Sequence, residues 1–235
     1  SSSGSSLSMR GDYSTRQSTQ NAVRRKSIES RFPDVDVDYG RVPVALRIER
    51  MLHDSHVHTG YSRSTQTEFQ GAGDLLTSQA TSAAWTPLIG LDGTLKNGTR
   101  AELKCDLRSS RREDLLLGRS VSDDHNTNVS LNFTRTYTQG QKVVFLGKET
   151  TVHSTVTLGL NGSYSRRTGE THREGRVGPI FPIGEDRLDA NGNGSYAFSG
   201  NVTGHVTLGF GQTRNLLLDT ARRNVRVEFR GQFTF

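Results

Sequence analysis

Apolar residues recur at alternate positions along much of the chain, and the pattern is sharpest at its end. Val225, Val227, Phe229, Gly231, Phe233 and Phe235 share one register, and Asn224, Arg226, Glu228, Arg230, Gln232 and Thr234 share the other. Successive side chains of an extended strand point to opposite faces, so this segment predicts a strand with one greasy side and one wet side. Val152, Ser154, Val156, Leu158, Leu160, Gly162 and Tyr164 hold a single face in the same way. Val35, Val37 and Tyr39 alternate with Asp34, Asp36 and Asp38 in an earlier strand. Asn97-Gly98 separates two alternating runs, residues 91–95 and 101–107. Both residues tolerate the positive φ of a primed turn, so a hairpin is predicted there.

The remaining organisation follows from where the alternation fades. Residues 1–30 are rich in Ser, Thr and Arg with weak periodicity, and predict a polar lead-in, a loop or a weak strand. Residues 31–235 predict a β-rich segment of about nine or ten strands. Within it, residues 44–51 predict a short helix or tight connection, and residues 71–84 a loop with a helical turn. A long loop is predicted over residues 166–189, which contain Gly178-Pro179 and Phe181-Pro182.

Composition decides between a soluble sheet and a membrane sheet. Hydrophobic residues make up 31% of the chain against 25 glycines, which is lean for a compact soluble core that must offset chain entropy. No apolar run reaches the roughly 18 to 20 residues of a membrane-spanning helix. Several predicted strands exceed ten residues, matching the roughly 9 to 11 that a tilted strand needs to cross hydrocarbon. A lipid-facing sheet must satisfy its backbone internally, which closure into a barrel achieves. The expected fold is therefore all-β, an antiparallel transmembrane β-barrel of a bacterial outer membrane. Val225, Val227, Phe229, Phe233 and Phe235 then face lipid, and Arg226, Glu228, Arg230 and Gln232 face the lumen. The terminal Phe235 matches the aromatic ending that barrel-insertion machinery recognises. The opening Ser1-Ser2-Ser3-Gly4 carries no secretory leader, so the sequence reads as the C-terminal part of a longer exported chain.

Charge and motifs narrow the chemistry. The net charge of +6 comes from arginines dispersed along strands and loops, as on a solvated face, without a compact basic patch for nucleic acid. Cys105 lies on an apolar register and reads as a small hydrophobe. His53, His56 and His58 form the densest metal-like cluster, but alternation puts His53 opposite the other two, short of the three or four ligands that zinc takes. Asp34, Asp36 and Asp38 form a flat row rather than the wrapping loop that calcium favours. There is no Gly-x-Ser-x-Gly elbow, and Gly147-Lys148-Glu149-Thr150 lacks the glycine spacing of a phosphate loop. The expectation is a protein with no catalytic site, metal or cofactor.

Several segments resemble one family. Trp85-Thr86-Pro87-Leu88-Ile89-Gly90-Leu91, then Thr94-Leu95-Lys96-Asn97, are similar to the C-terminal region of SprA-type proteins, the outer-membrane translocons of the type nine secretion system tied to gliding motility. Arg108-Ser109-Ser110-Arg111-Arg112, Phe32-Pro33-Asp34, Tyr61-Ser62-Arg63-Ser64-Thr65 and the Phe-Thr-Phe ending also resemble family landmarks. Arginine and histidine are more abundant than the family pattern. The resemblance implies the last arc of a very large barrel that passes folded secreted proteins to the cell surface, with cargo and accessory secretion subunits as partners. Two other expectations stand beside it: a small free-standing outer-membrane channel or receptor, and a soluble or surface β-sandwich that acts as a binding module.

Overall fold

The computed structural model describes all residues except 1–4, 21–22, 41–51, 117, 139, 141, 146–147, 152–153, 200 and 234–235. The expected helix or connection at 44–51 and the terminal Phe235 lie outside the described residues. The described residues form twelve strands: β1 (Ser5–Gln20), β2 (Val23–Tyr39), β3 (Leu52–Gln70), β4 (Leu75–Leu95), β5 (Arg100–Asp114), β6 (Ser120–Tyr137), β7 (Lys142–Phe145), β8 (Lys148–Thr151), β9 (Val156–Arg173), β10 (Ile183–Ser199), β11 (Val202–Asn215) and β12 (Thr220–Phe233). Ten of them form one sheet in the order β1-β2-β3-β4-β5-β6-β9-β10-β11-β12. Every neighbouring pair in it is antiparallel. The short pair β7-β8 is a separate hairpin inserted between β6 and β9.

This is a single layer. Ala84, at 8% exposure, is the one buried hydrophobic residue among those described. Among the described residues no second sheet covers the large apolar side chains, and the sheet is open, with β1 and β12 at its two edges. Hydrogen-bond ladders between strands of 14 to 21 residues hold it together. The predicted Asn97-Gly98 hairpin is present: Gly98 has φ +81°, its amide donates to the Leu95 carbonyl, and the Leu95 amide donates to the Thr99 carbonyl.

Three stretches differ from expectation. The polar lead-in is a full strand, β1, followed by the first part of β2. The loop expected at 71–84 is only a turn at 71–74, after which β4 starts at Leu75. There Thr77 and Ser78 are buried, and both hydroxyls donate to Glu68, to its carbonyl and its carboxylate. The loop expected at 166–189 shrinks to residues 174–182, because β9 runs on to Arg173 and β10 begins at Ile183. The cause is common to all three. Residues 10–20, 77–82 and 166–173 are mostly polar on both faces, so they form ladders without producing alternation.

Candidate functional site: two unlike faces of one sheet

Register gathers the alternating residues of separate strands onto common faces. One row of paired residues runs from Val225 through Phe210, Ala190, Gly162, Leu131, Leu103, Leu91 and Val57 to Tyr39. Rows on either side add Val227, Phe229 and Phe233 of β12, Leu158 and Leu160 of β9, Cys105 of β5 and Leu7 and Met9 of β1 to the same face. The result is an apolar belt that crosses all ten strands. Its side chains are exposed or half-buried: Phe229 on the edge strand is 73% exposed, Leu160 54% and Leu103 37%.

The belt climbs across the hydrogen-bond rows. In β12 it runs from Val225 to Phe233, so its midpoint, Phe229, lies four residues to one side of the row just traced. Among the described residues it runs in β2 from Val35 to Tyr39, and the midpoint of that stretch, Val37, lies two residues to the other side. The drift is six residues, four plus two, over the eight strand steps from β12 to β2. At about 3.3 Å per residue and about 4.8 Å per strand, that is roughly 20 Å along the strands for roughly 38 Å across them. A belt kept level therefore needs strands tilted by roughly 30°, close to the roughly 35–45° of outer-membrane barrels.

Aromatic residues edge the belt. Tyr137, Tyr196, Phe198 and Phe233 lie towards the rim where β10 ends and β11 begins, and Tyr61, Trp85 and Tyr164 towards the opposite one. Tyr61 and Trp85 touch, with ring centroids 4.6 Å apart. Past Tyr164 the strands continue for about nine more residues and turn polar on both faces. Cross-strand ion pairs lace this part, including Arg167 to Asp124 at 2.7 Å and Arg166 to Asp186 at 3.7 Å.

The opposite face is charged and flat. Arg226, Glu228, Arg230 and Gln232 share it in β12, and Arg230 donates to Glu228 at 2.5 Å. Asp34, Asp36 and Asp38 are on it in β2, where Arg31 pairs with Asp34 at 3.1 Å. His56 and His58 join Asp92, Arg100, Glu102 and Lys104 around a depression of about 500 Å³. His58 Nδ1 lies 3.8 Å from Asp92, and Lys104 Nζ 2.5 Å from Glu102. The side chain of His53 lies outside the described residues. No group of three or more metal-ligating side chains is assembled among those described.

A device that sequence inspection missed keeps this face low. Several glycines stand directly across from a polar residue: Gly60 from Asp36, Gly90 from His58, Gly159 from Asn193 and Gly211 from Asn224. In each pair the longer side chain lies down over the glycine. A Cβ on Gly90 would sit 2.2 Å from the His58 ring, and one on Gly159 2.3 Å from the Asn193 amide. The polar residues thus run along the wall instead of projecting from it. The signal was in the sequence as glycines on the wet register, but only cross-strand register connects each to its partner.

No family model and no curated protein matches the sequence. Among solved structures, the fold is similar to that of a chain in the structure of the FpvAI–pyocin S2 complex, with a TM-score of 0.53 and 11% identity over 95% of this chain and 36% of that one. This neighbour is an outer-membrane receptor barrel. At that identity the likeness shows the fold alone, an all-β antiparallel sheet of barrel type. The present chain spans about a third of the length of the neighbour.

Proposed function

We propose that this chain is an arc of a large outer-membrane β-barrel whose charged face lines a wide aqueous passage. One observation carries the reading: exposed apolar side chains form a level belt across all ten strands, once the strands take a membrane-like tilt. Ten strands at about 4.8 Å, with a belt height of about 23 Å, give an apolar surface on the order of 1,000 Å². Soluble monomers rarely expose contiguous apolar patches beyond a few hundred Å². The height is close to the roughly 25 Å band of outer-membrane barrels. The open edges of a ten-stranded sheet, and its cover of only 36% of a barrel neighbour, favour an arc of a larger barrel over a small closed one.

The passage serves transport rather than chemistry. In the finer reading it is the conduit of an SprA-type translocon for folded secreted proteins, supported by the 85–97 and 108–112 segments. The low polar wall suits such cargo, since side chains laid over glycines leave the bore open. A second reading, a surface receptor, is favoured by the likeness to a receptor barrel. Labelling of the full-length chain in intact outer membranes with a charged, impermeant maleimide tests the common premise. Asn161→Cys on the wet face reacts and Leu160→Cys on the belt does not; the reverse order refutes it. Deletion in the native cell separates the two readings. Secreted proteins accumulate in the periplasm if the chain is a translocon, and are exported normally if it is a receptor.

A further inference from the structure

A groove of about 480 Å³ opens on the apolar belt across β9, β10 and β11. Its floor is low because Gly192, Gly194 and Gly204 present no side chain there. A Cβ built on Gly192 meets nothing within 4 Å, so this is open space and not packed wall. Tyr196 and Phe198 line the end nearer the start of β11, edge to face with centroids 4.8 Å apart.

Beside the groove the belt carries one cation. Arg135 and Tyr137 of β6 pair in register with Leu158 and Val156 of β9, both of which line the groove. The Arg135 guanidinium lies over the Tyr137 ring, 4.4 Å from its centroid, so its charge reaches towards the rim. No carboxylate among the described residues pairs with it. The belt register of β6, β9, β10, β11 and β12 carries no acid between its aromatic edges. A cation on a lipid-facing surface is costly unless an anion meets it.

We propose that the groove holds one acyl chain of an anionic glycerophospholipid whose phosphate is received by Arg135 beside Tyr137. The guanidinium fork suits a phosphate through paired charge-assisted hydrogen bonds. The glycine floor accepts the tail from the Tyr137–Tyr196 end towards the middle of the belt. A zwitterionic headgroup finds no acid on this face to take its ammonium. The proposal rests on the membrane reading above.

The test uses the full-length chain reconstituted in vesicles of equal dioleoylphosphatidylglycerol and dioleoylphosphatidylcholine, checked by flotation, then released in mild detergent and weighed by native mass spectrometry. The wild type retains phosphatidylglycerol in preference to phosphatidylcholine. Gly192→Leu, whose side chain enters the groove, lowers that retention at least tenfold. Arg135→Gln abolishes the preference between the two lipids. Gly162→Leu, on the same face outside the groove and with nothing within 4 Å of its Cβ, retains the lipid as the wild type does. Equal retention by the wild type and Gly192→Leu overturns the groove, and equal retention of both lipids by the wild type overturns the headgroup assignment. A chain that does not float with vesicles overturns the membrane reading, and with it this proposal.

Discussion

Leu160→Arg is the most discriminating single substitution. Leu160 is the midpoint of the belt in β9, nine residues of which, from Val156 to Tyr164, span it. It is 54% exposed, so in water the change is an ordinary surface substitution, expected to stay within about 0.5 kcal/mol. In a bilayer the same position sits near the midplane, where arginine costs about 2–4 kcal/mol. Roughly 1 kcal/mol of this is the lost transfer of a half-exposed leucine into hydrocarbon, and charge transfer supplies the remainder. The stability constant should fall about 30- to 800-fold. Asn161→Arg, one residue along on the wet face, stays within about 0.5 kcal/mol. The assay is the guanidinium titration of the full-length chain folded in phosphatidylcholine vesicles, read by fluorescence. A neutral Leu160→Arg, or an equal cost at 160 and 161, refutes the assignment of faces.

Three further outcomes follow from named contacts. Cys105 pairs with Ile89 and Val129 on the belt, so an impermeant maleimide leaves it unmodified in intact vesicles and labels it after denaturation; labelling as fast as Asn161→Cys contradicts this placement. Gly90→Ala pushes a Cβ into the His58 ring and costs about 1–3 kcal/mol; adding His58→Ala recovers most of that, and a purely additive double variant contradicts the laid-over geometry. Asp124→Asn breaks the 2.7 Å pair with Arg167, whose side chain is 57% exposed. Exposed pairs of this kind contribute little, so the loss is under about 1 kcal/mol and fades in 1 M salt; a larger, salt-insensitive loss in the same titration contradicts an exposed site.

What the sequence made legible, and what it hid, divides along each strand. The last strand was readable because its two faces meet different surroundings: Val225, Val227 and Phe229 on one side, Arg226, Glu228 and Arg230 on the other. The same held for 156–164 and for the Asn97-Gly98 hairpin, where local turn chemistry sufficed. By contrast 75–84, 166–173 and 183–187 were mistaken for loop. Arginine, acids and other polar residues occupy both faces of 166–173 and 183–187, and small or polar residues fill 77–84, so a ladder of backbone hydrogen bonds leaves no greasy-against-wet alternation there. Register was illegible throughout, because it lives in pairs distant in sequence. The groove and the flat polar wall are both products of register, since each sets a glycine beside a side chain of another strand.

The points where alternation stops therefore carry information of their own. In β1 to β5 the belt ends at Met9, Val35, Tyr61, Trp85 and Leu107, which lie in one hydrogen-bonded row. In β6, β9 and β10 it ends at Val129, Tyr164 and Leu188, again one row but two residues nearer the rim where β11 begins. In β11 and β12 it ends at Phe210 and Val225, two residues nearer still. A soluble sheet bounded by a partner protein has no reason to step in this order. A planar boundary crossing tilted strands does, because the residue at which the strands meet the plane drifts in one direction across the sheet, here by four residues in two steps. On the proposed membrane reading, the stepped edge is the trace of a flat interface, and the wet strand halves beyond it project past that interface into water.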